Sequence, residues 1–144
     1  MKNKILLSFI LGFCCCTLLA QDAPIWDHKQ PCLYQIQISD VYDGDTVTAN
    51  IKIGFGLIMH GQKLRLYGIN TPEVRGPEKP DGIITRDRLR ALISDKVLIM
   101  DSHGDDKGKY GRWLATLWLP KDDGSWININ EWLVKEGLGK PASY

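Results

Sequence analysis

Residues 33–53 read LYQIQISDVYDGDTVTANIKI. Ile36 and Ile38 alternate with Gln35 and Gln37, the two-residue period of a strand with one face in a core and one in water. After Asp43-Gly44-Asp45 the chain resumes β-rich sequence from 46 to 53. Asp-Gly between two such runs signals a hairpin, because a tight primed turn needs positive φ. Residues 63–69 (KLRLYGI) give a third strand, with Leu64 and Leu66 on one face and Arg65 and Tyr67 on the other. Gly54, Gly56 and Gly61 punctuate the connection before it, and Gly68 marks a bulge or a close backbone approach. Residues 70–82 hold Pro72, Pro77 and Pro80 and read as a long functional loop with no regular element. A helix is predicted over 83–94, burying Ile84, Leu89, Leu92 and Ile93 and leaving Arg86, Arg88 and Arg90 as a solvated face. Residues 96–100 form a fourth strand. Residues 113–119 form a fifth, stopped by Pro120. Asn128 with Glu131 three residues later resembles a capping box for a short helix over 129–136, closed by Gly137.

Three strands, a helix, two strands and a helix define an α+β class. Five short strands suggest a closed barrel, and a helix between strands three and four is where a five-stranded oligonucleotide-binding (OB-fold) barrel carries one. The expected architecture is therefore a five-stranded OB-fold barrel with two short helices. Trp113, Trp118 and Trp132 are expected in its core, and Trp126 in turn packing.

The N-terminus is an address. Lys2 and Lys4 precede an uncharged, mostly apolar run over 5–20, too short to span a bilayer. That is the layout of a signal peptide over 1–20, followed by a leader over 21–32 and a single domain over 33–144. Export to a periplasm or the medium follows, with no stable membrane association after cleavage and a monomer as the default. The chain carries 18 Lys+Arg against 17 Asp+Glu. Because Lys2 and Lys4 leave with the signal, the mature chain has a slight acidic excess, so polyanion binding must come from a local basic cluster. Cys14, Cys15 and Cys16 also lie in the signal. Cys32 then remains alone, and no internal disulfide is expected. His28, His60 and His103 are too scattered for a zinc site. Asp101, His103 and Asp105 echo a calcium loop, but Asp106 stands where that loop needs Gly and Arg112 where it needs Glu.

Three clusters carry chemistry: Asp43-Gly44-Asp45-Thr46, Arg65 with Asn70-Thr71-Pro72-Glu73, and Lys109-Tyr110-Gly111-Arg112. Phosphodiester hydrolysis needs an attacking water, a group to orient or deprotonate it, and positive charge on the phosphoryl oxygens. Hard oxygens suit calcium. Asp45, the Asn70 side-chain oxygen and the Thr71 carbonyl supply them. Glu73 is a candidate base, and Arg65 and Arg112 are candidate phosphate forks.

VYDGDT (41–46), RLYGINTPE (65–73), KYGR (109–112) and NEWLVKEGL (130–138), in this order, resemble the staphylococcal (thermonuclease) nuclease family. The resemblance implies that Arg65, Glu73 and Arg112 are catalytic, that Asp45 and Thr71 bind calcium with Asp43 in support, and that Lys109 and Tyr110 touch a terminal phosphate of the bound nucleotide. It implies a calcium-dependent nuclease acting on DNA and RNA and leaving 3′-phosphates. The runner-up is a non-catalytic or weakly catalytic OB-fold nucleic-acid-binding protein. Asn70 departs from the aspartate of the best-known member. It keeps an oxygen ligand but removes a charge, which predicts weaker calcium binding.

Overall fold

The computed structural model describes residues 32–104 and 110–143. The strands are β1 (Cys32–Val41), β2 (Thr46–Gly54), β3 (Leu57–Leu66), β4 (Ile69–Asn70), β5 (Val97–Ser102), β6 (Trp113–Pro120), β7 (Trp126–Asn128) and β8 (Lys140–Pro141), and the helices are α1 (Lys79–Ile93) and α2 (Ile129–Lys135). A short 3-10 turn, Gly76–Glu78, leads into α1. The signal and residues 21–31 of the leader fall outside the described residues, and Cys32, expected to end the leader, instead opens β1.

β3, β2, β1, β5, β6 and β7 lie side by side in that order, and β3 also pairs in parallel with β6. That extra pairing joins β1, β2, β3, β6 and β5 in a ring, the strand circuit of the expected barrel. Alternation fills its interior. Ile36, Val47, Ala49, Leu64, Leu66, Leu98 and Leu117 point inward and are almost fully buried. Leu89 and Ile93 of α1 and Ile129 and Leu133 of α2 join the same core. Each of these Val, Leu and Ile side chains removed from water contributes about 1.5–3 kcal/mol. Asn128 caps α2 as its spacing predicts, its side chain accepting from the Glu131 amide.

Several expectations change. β3 begins at Leu57, not at 63, because Gly54, Phe55 and Gly56 adopt positive φ and make a tight hairpin where a longer connection was expected. The loop over 70–82 is partly regular. Helix α1 starts at Lys79, since Pro80 lies in the first turn, where an amide has no intrahelical partner to lose. Its buried positions are Gly82, Thr85, Leu89 and Ile93, while Ile84 is exposed. Small residues at 82 and 85 let the helix approach the loop before it. A Cβ on Gly82 would overlap the Glu73 carbonyl. Trp113 and Trp132 pack against the core. Trp118 instead lines an outer groove with Leu33, Ile99 and Trp126, since the β6 register turns Leu117 and Leu119 inward.

Candidate active site

The turn at 43–45 does not use positive φ at any of its residues. The Tyr42 and Asp43 amides both donate to the Thr46 carbonyl, at 3.0 and 3.3 Å, and close the loop. Gly44 is needed for space: a Cβ there would overlap the Thr85 methyl and stand 2.8 Å from Thr71 Oγ1. Turn, helix α1 and the loop after β4 therefore meet at one backbone atom.

Strand register assembles the rest. Thr46 opens β2 directly opposite Arg65 near the end of β3. Arg112 precedes β6, whose first residues pair with Leu64 and Arg65. The Leu66 amide donates to the Asp45 carbonyl at 2.8 Å, which fixes the turn on the end of β3.

Asp45 is the hub, and it is buried. Its Oδ1 pairs with Arg65 Nη1, a side-chain pair only 14% and 4% exposed. Oδ1 also accepts from Thr46 Oγ1 at 3.1 Å, and Oδ2 accepts from the Thr71 amide at 3.0 Å. Arg65 Nη2 reaches Asn70 Oδ1 at 2.7 Å and the Ile69 carbonyl at 3.3 Å. Arg112 Nη1 donates to Thr46 Oγ1 at 3.1 Å, and its guanidinium lies 5.2 Å from the Tyr110 ring centroid. Asp43 is buried too, and its Oδ1 accepts from the Asp45 amide at 3.1 Å. Burial pushes the Asp43 carboxyl above its ordinary range, against the lowering effect of hydrogen bonds to Thr46 and of the charges on Arg65 and Arg112.

One connected cluster thus holds Asp45, Arg65, Asn70, Thr71 and Arg112. Glu73 stands two residues beyond Thr71, exposed, its amide donating to Glu78 Oε2 at 3.3 Å. Lys109 lies outside the described residues. Tyr110 is exposed beside Arg112. Sequence reasoning missed the bridging role of Thr46, which ties Asp45 to Arg112. It also missed Gly44, Gly82 and Thr85 as the spacers of the site. No periodicity along the chain points to Thr46, because its place opposite Arg65 is set by the β2–β3 register.

The donor chemistry fits a hard, oxygen-preferring cation. The buried Asp45 carboxylate meets the Thr71 amide and shares Arg65 with the Asn70 side-chain oxygen, and the second buried carboxylate, Asp43, holds the Asp45 amide. Thr71 Oγ1 is also buried, without a hydrogen-bond partner among the described residues.

The model of the family described as staphylococcal nuclease homologues matches residues 63–144. This chain belongs to the staphylococcal nuclease family. It is 33% identical over 107 residues to a thermonuclease of Staphylococcus hyicus, covering 72% of this chain and 57% of that protein. It is 29% identical over 110 residues to a thermonuclease of Staphylococcus intermedius, covering 74% of this chain and 59% of that protein. The chain thus spans somewhat over half the length of these thermonucleases. The region matched by the family model contains Arg65, Asn70, Thr71, Glu73 and Arg112, and the Arg65 ion pair and the Thr71 amide add Asp45 to them.

Proposed function

We propose that this protein is an exported, monomeric nuclease that uses calcium to hydrolyse phosphodiester bonds of DNA and RNA. The observation that carries the reading is the Asp45 carboxylate, held between the Arg65 guanidinium and the Thr71 amide while Thr46 links it to Arg112. Two forked cations and an oxygen-rich cation site around one spot suit a phosphoryl group that gains negative charge as it reacts. Asp45, Asn70 and the Thr71 carbonyl would hold the calcium ion, with Asp43 in support. The ion supplies fixed positive charge beside the phosphoryl oxygens when bound.

Arg65 and Arg112 bind the non-bridging oxygens and tighten as charge builds on them. Arg65 spans Asp45 and Asn70, so it yields one of these oxygens as it turns onto the phosphate. Glu73 orients the attacking water and accepts its proton. Water attacks phosphorus, the bond to the 5′-oxygen breaks, that oxygen takes up a proton from solvent, and the products are a 3′-phosphate and a 5′-hydroxyl. Tyr110 and Lys109 lie on the Arg112 side of the site in sequence and contact the terminal phosphate. The signal layout of residues 1–20 supports export.

The test is to incubate the protein and Glu73→Ala with plasmid and with RNA, in calcium or in chelator. Degradation of both that requires calcium and is lost in the variant supports the reading. Binding without cleavage in either condition replaces it with a non-catalytic nucleic-acid-binding barrel.

A further inference from the structure

The β2–β3 hairpin ends in an apolar tip that the fold does not use. Phe55 is completely exposed at 104%, and Ile53, Leu57 and Ile58 around it are 42%, 58% and 49% exposed. Phe55 also adopts φ +52 between Gly54 at +101 and Gly56 at +77. A bulky aromatic in the left-handed region is unfavourable, and a glycine would remove that cost. Nothing among the described residues repays it, because there the side chain meets only solvent. A patch of four large apolar side chains on one protruding turn is the kind of exposed surface that marks an interaction site.

The charge around the tip narrows the partner. From Thr46 to Leu66 the hairpin contains no acidic residue, while Lys52, His60, Lys63 and Arg65 lie along it. The apolar tip therefore stands on a cationic or neutral stem. A protruding turn is a poor match for a protein partner, which needs about 1,000 Å² of buried, complementary surface. A lipid interface needs only shallow burial of a few apolar side chains, and its anionic headgroups favour nearby lysines.

We propose that the 53–58 tip inserts into the interface of an anionic lipid bilayer, with Lys52 on the headgroups, and holds the barrel at a membrane surface, which replaces the expectation of no stable membrane association after signal cleavage. The site formed by Asp45, Thr46 and Arg65 lies at the other end of the same hairpin. Nine residues of β2, Thr46–Gly54, at about 3.3 Å each, put roughly 25–30 Å between the two ends. A docked barrel thus keeps its site in water. The proposal stands apart from the nuclease reading, and no helix among the described residues is long and apolar enough to cross a membrane.

The test is flotation of the protein, as an exporting host releases it, with vesicles of phosphatidylcholine containing phosphatidylglycerol and with vesicles of phosphatidylcholine alone. The native chain should float with the anionic vesicles. Phe55→Ser with Leu57→Ser should lower the partition coefficient by about tenfold or more, and Lys52→Glu should lower it only on anionic vesicles. Thermal midpoints and cleavage of a free oligonucleotide should not change in either variant, since the tip touches neither core nor site. The proposal is overturned if the native chain stays with the soluble fraction, or if the double variant floats equally well. It is also overturned if sedimentation shows a dimer that the double variant dissolves while vesicles recruit neither protein.

Discussion

Replacing Gly44 by alanine adds one methyl group at the point where the site's three supports converge. The new carbon would overlap the Thr85 methyl and stand 2.8 Å from Thr71 Oγ1 and 2.9 Å from Thr71 Cβ. Thr85 and Thr71 are both buried, so neither can swing away into solvent. Backbone strain is not the cause, because Gly44 has no positive φ. The cost is overpacking, about 1–3 kcal/mol for one carbon in a filled space. For a domain of this size that lowers the thermal midpoint by roughly 3–15 °C. Thr85→Ser deletes the methyl that Gly44→Ala meets first and keeps the hydroxyl that donates to the Leu138 carbonyl at 3.3 Å. The double variant should therefore recover part of the loss, with a coupling energy of about 0.5–1.5 kcal/mol between the two positions. Thr71 would still be crowded, so recovery should be incomplete. Calorimetry or urea unfolding of the four proteins closes the cycle. A fully stable Gly44→Ala, or strict additivity with Thr85→Ser, would refute the claim that Gly44 is there for space.

Three further outcomes follow from particular contacts. Asn130 donates to the Tyr67 and Ala115 carbonyls at 2.9 and 3.1 Å and accepts from the Leu117 amide at 3.1 Å. Asn130→Ala strands these groups in the interior and should cost at least about 3 kcal/mol in urea unfolding, whereas a loss under 1 kcal/mol would show that they find other partners. Asn70→Asp restores a negative charge beside Asp45. A unit charge at about 4 Å is worth roughly 4 kcal/mol gross at an effective dielectric of 20, and less net. Calorimetric titration should show calcium binding about tenfold tighter in that variant, and an unchanged Kd would contradict the assignment of Asn70 as a ligand. Asp43 has its carboxyl raised by burial. Its neutral form is favoured in the fold, so its contribution to stability is complete below the ordinary carboxylate range and falls as pH rises through the raised value. Asp43→Asn keeps an acceptor for the Asp45 amide. In chelator the variant should gain stability relative to the parent as pH rises from about 4 to 7, and parallel stability curves would refute the burial argument.

Much of this was legible in the sequence because the physics was local. The alternation in β1, the Asn128 cap and the apolar run of β6 each declare themselves within a few residues. What was not legible depended on contacts made far along the chain. Gly82 and Pro80 look like helix breakers, yet one sits in the first turn and the other makes room for the Glu73 carbonyl. The Asp-Gly pair suggests a primed turn, yet Gly44 answers to Thr85, forty-one residues on, instead of to φ. Gly54, Gly56 and Gly61 read as a long connection before residue 63, yet β3 already runs from Leu57, and Leu57 and Ile58 give no core-facing signal because they face solvent. Residue type and order single out Asp45, Arg65, Asn70, Thr71, Glu73 and Arg112, of which all but Glu73 share one network of contacts. The bridge through Thr46 needed the β2–β3 register, which no spacing along the chain reveals.

The central claim is that Arg112 and its neighbours act on a phosphoryl group. Among the described residues Arg112 is tied to the site by its hydrogen bond to Thr46 and forms no ion pair, so its removal should spare the fold. The most direct measurement is kcat for cleavage of a defined oligonucleotide in saturating calcium by the native chain and by Arg112→Ala, with the thermal midpoint of each recorded. The account expects kcat to fall by about 10²–10³ at an essentially unchanged midpoint. Equal turnover by the two proteins, or no calcium-dependent cleavage by the native chain, would contradict it.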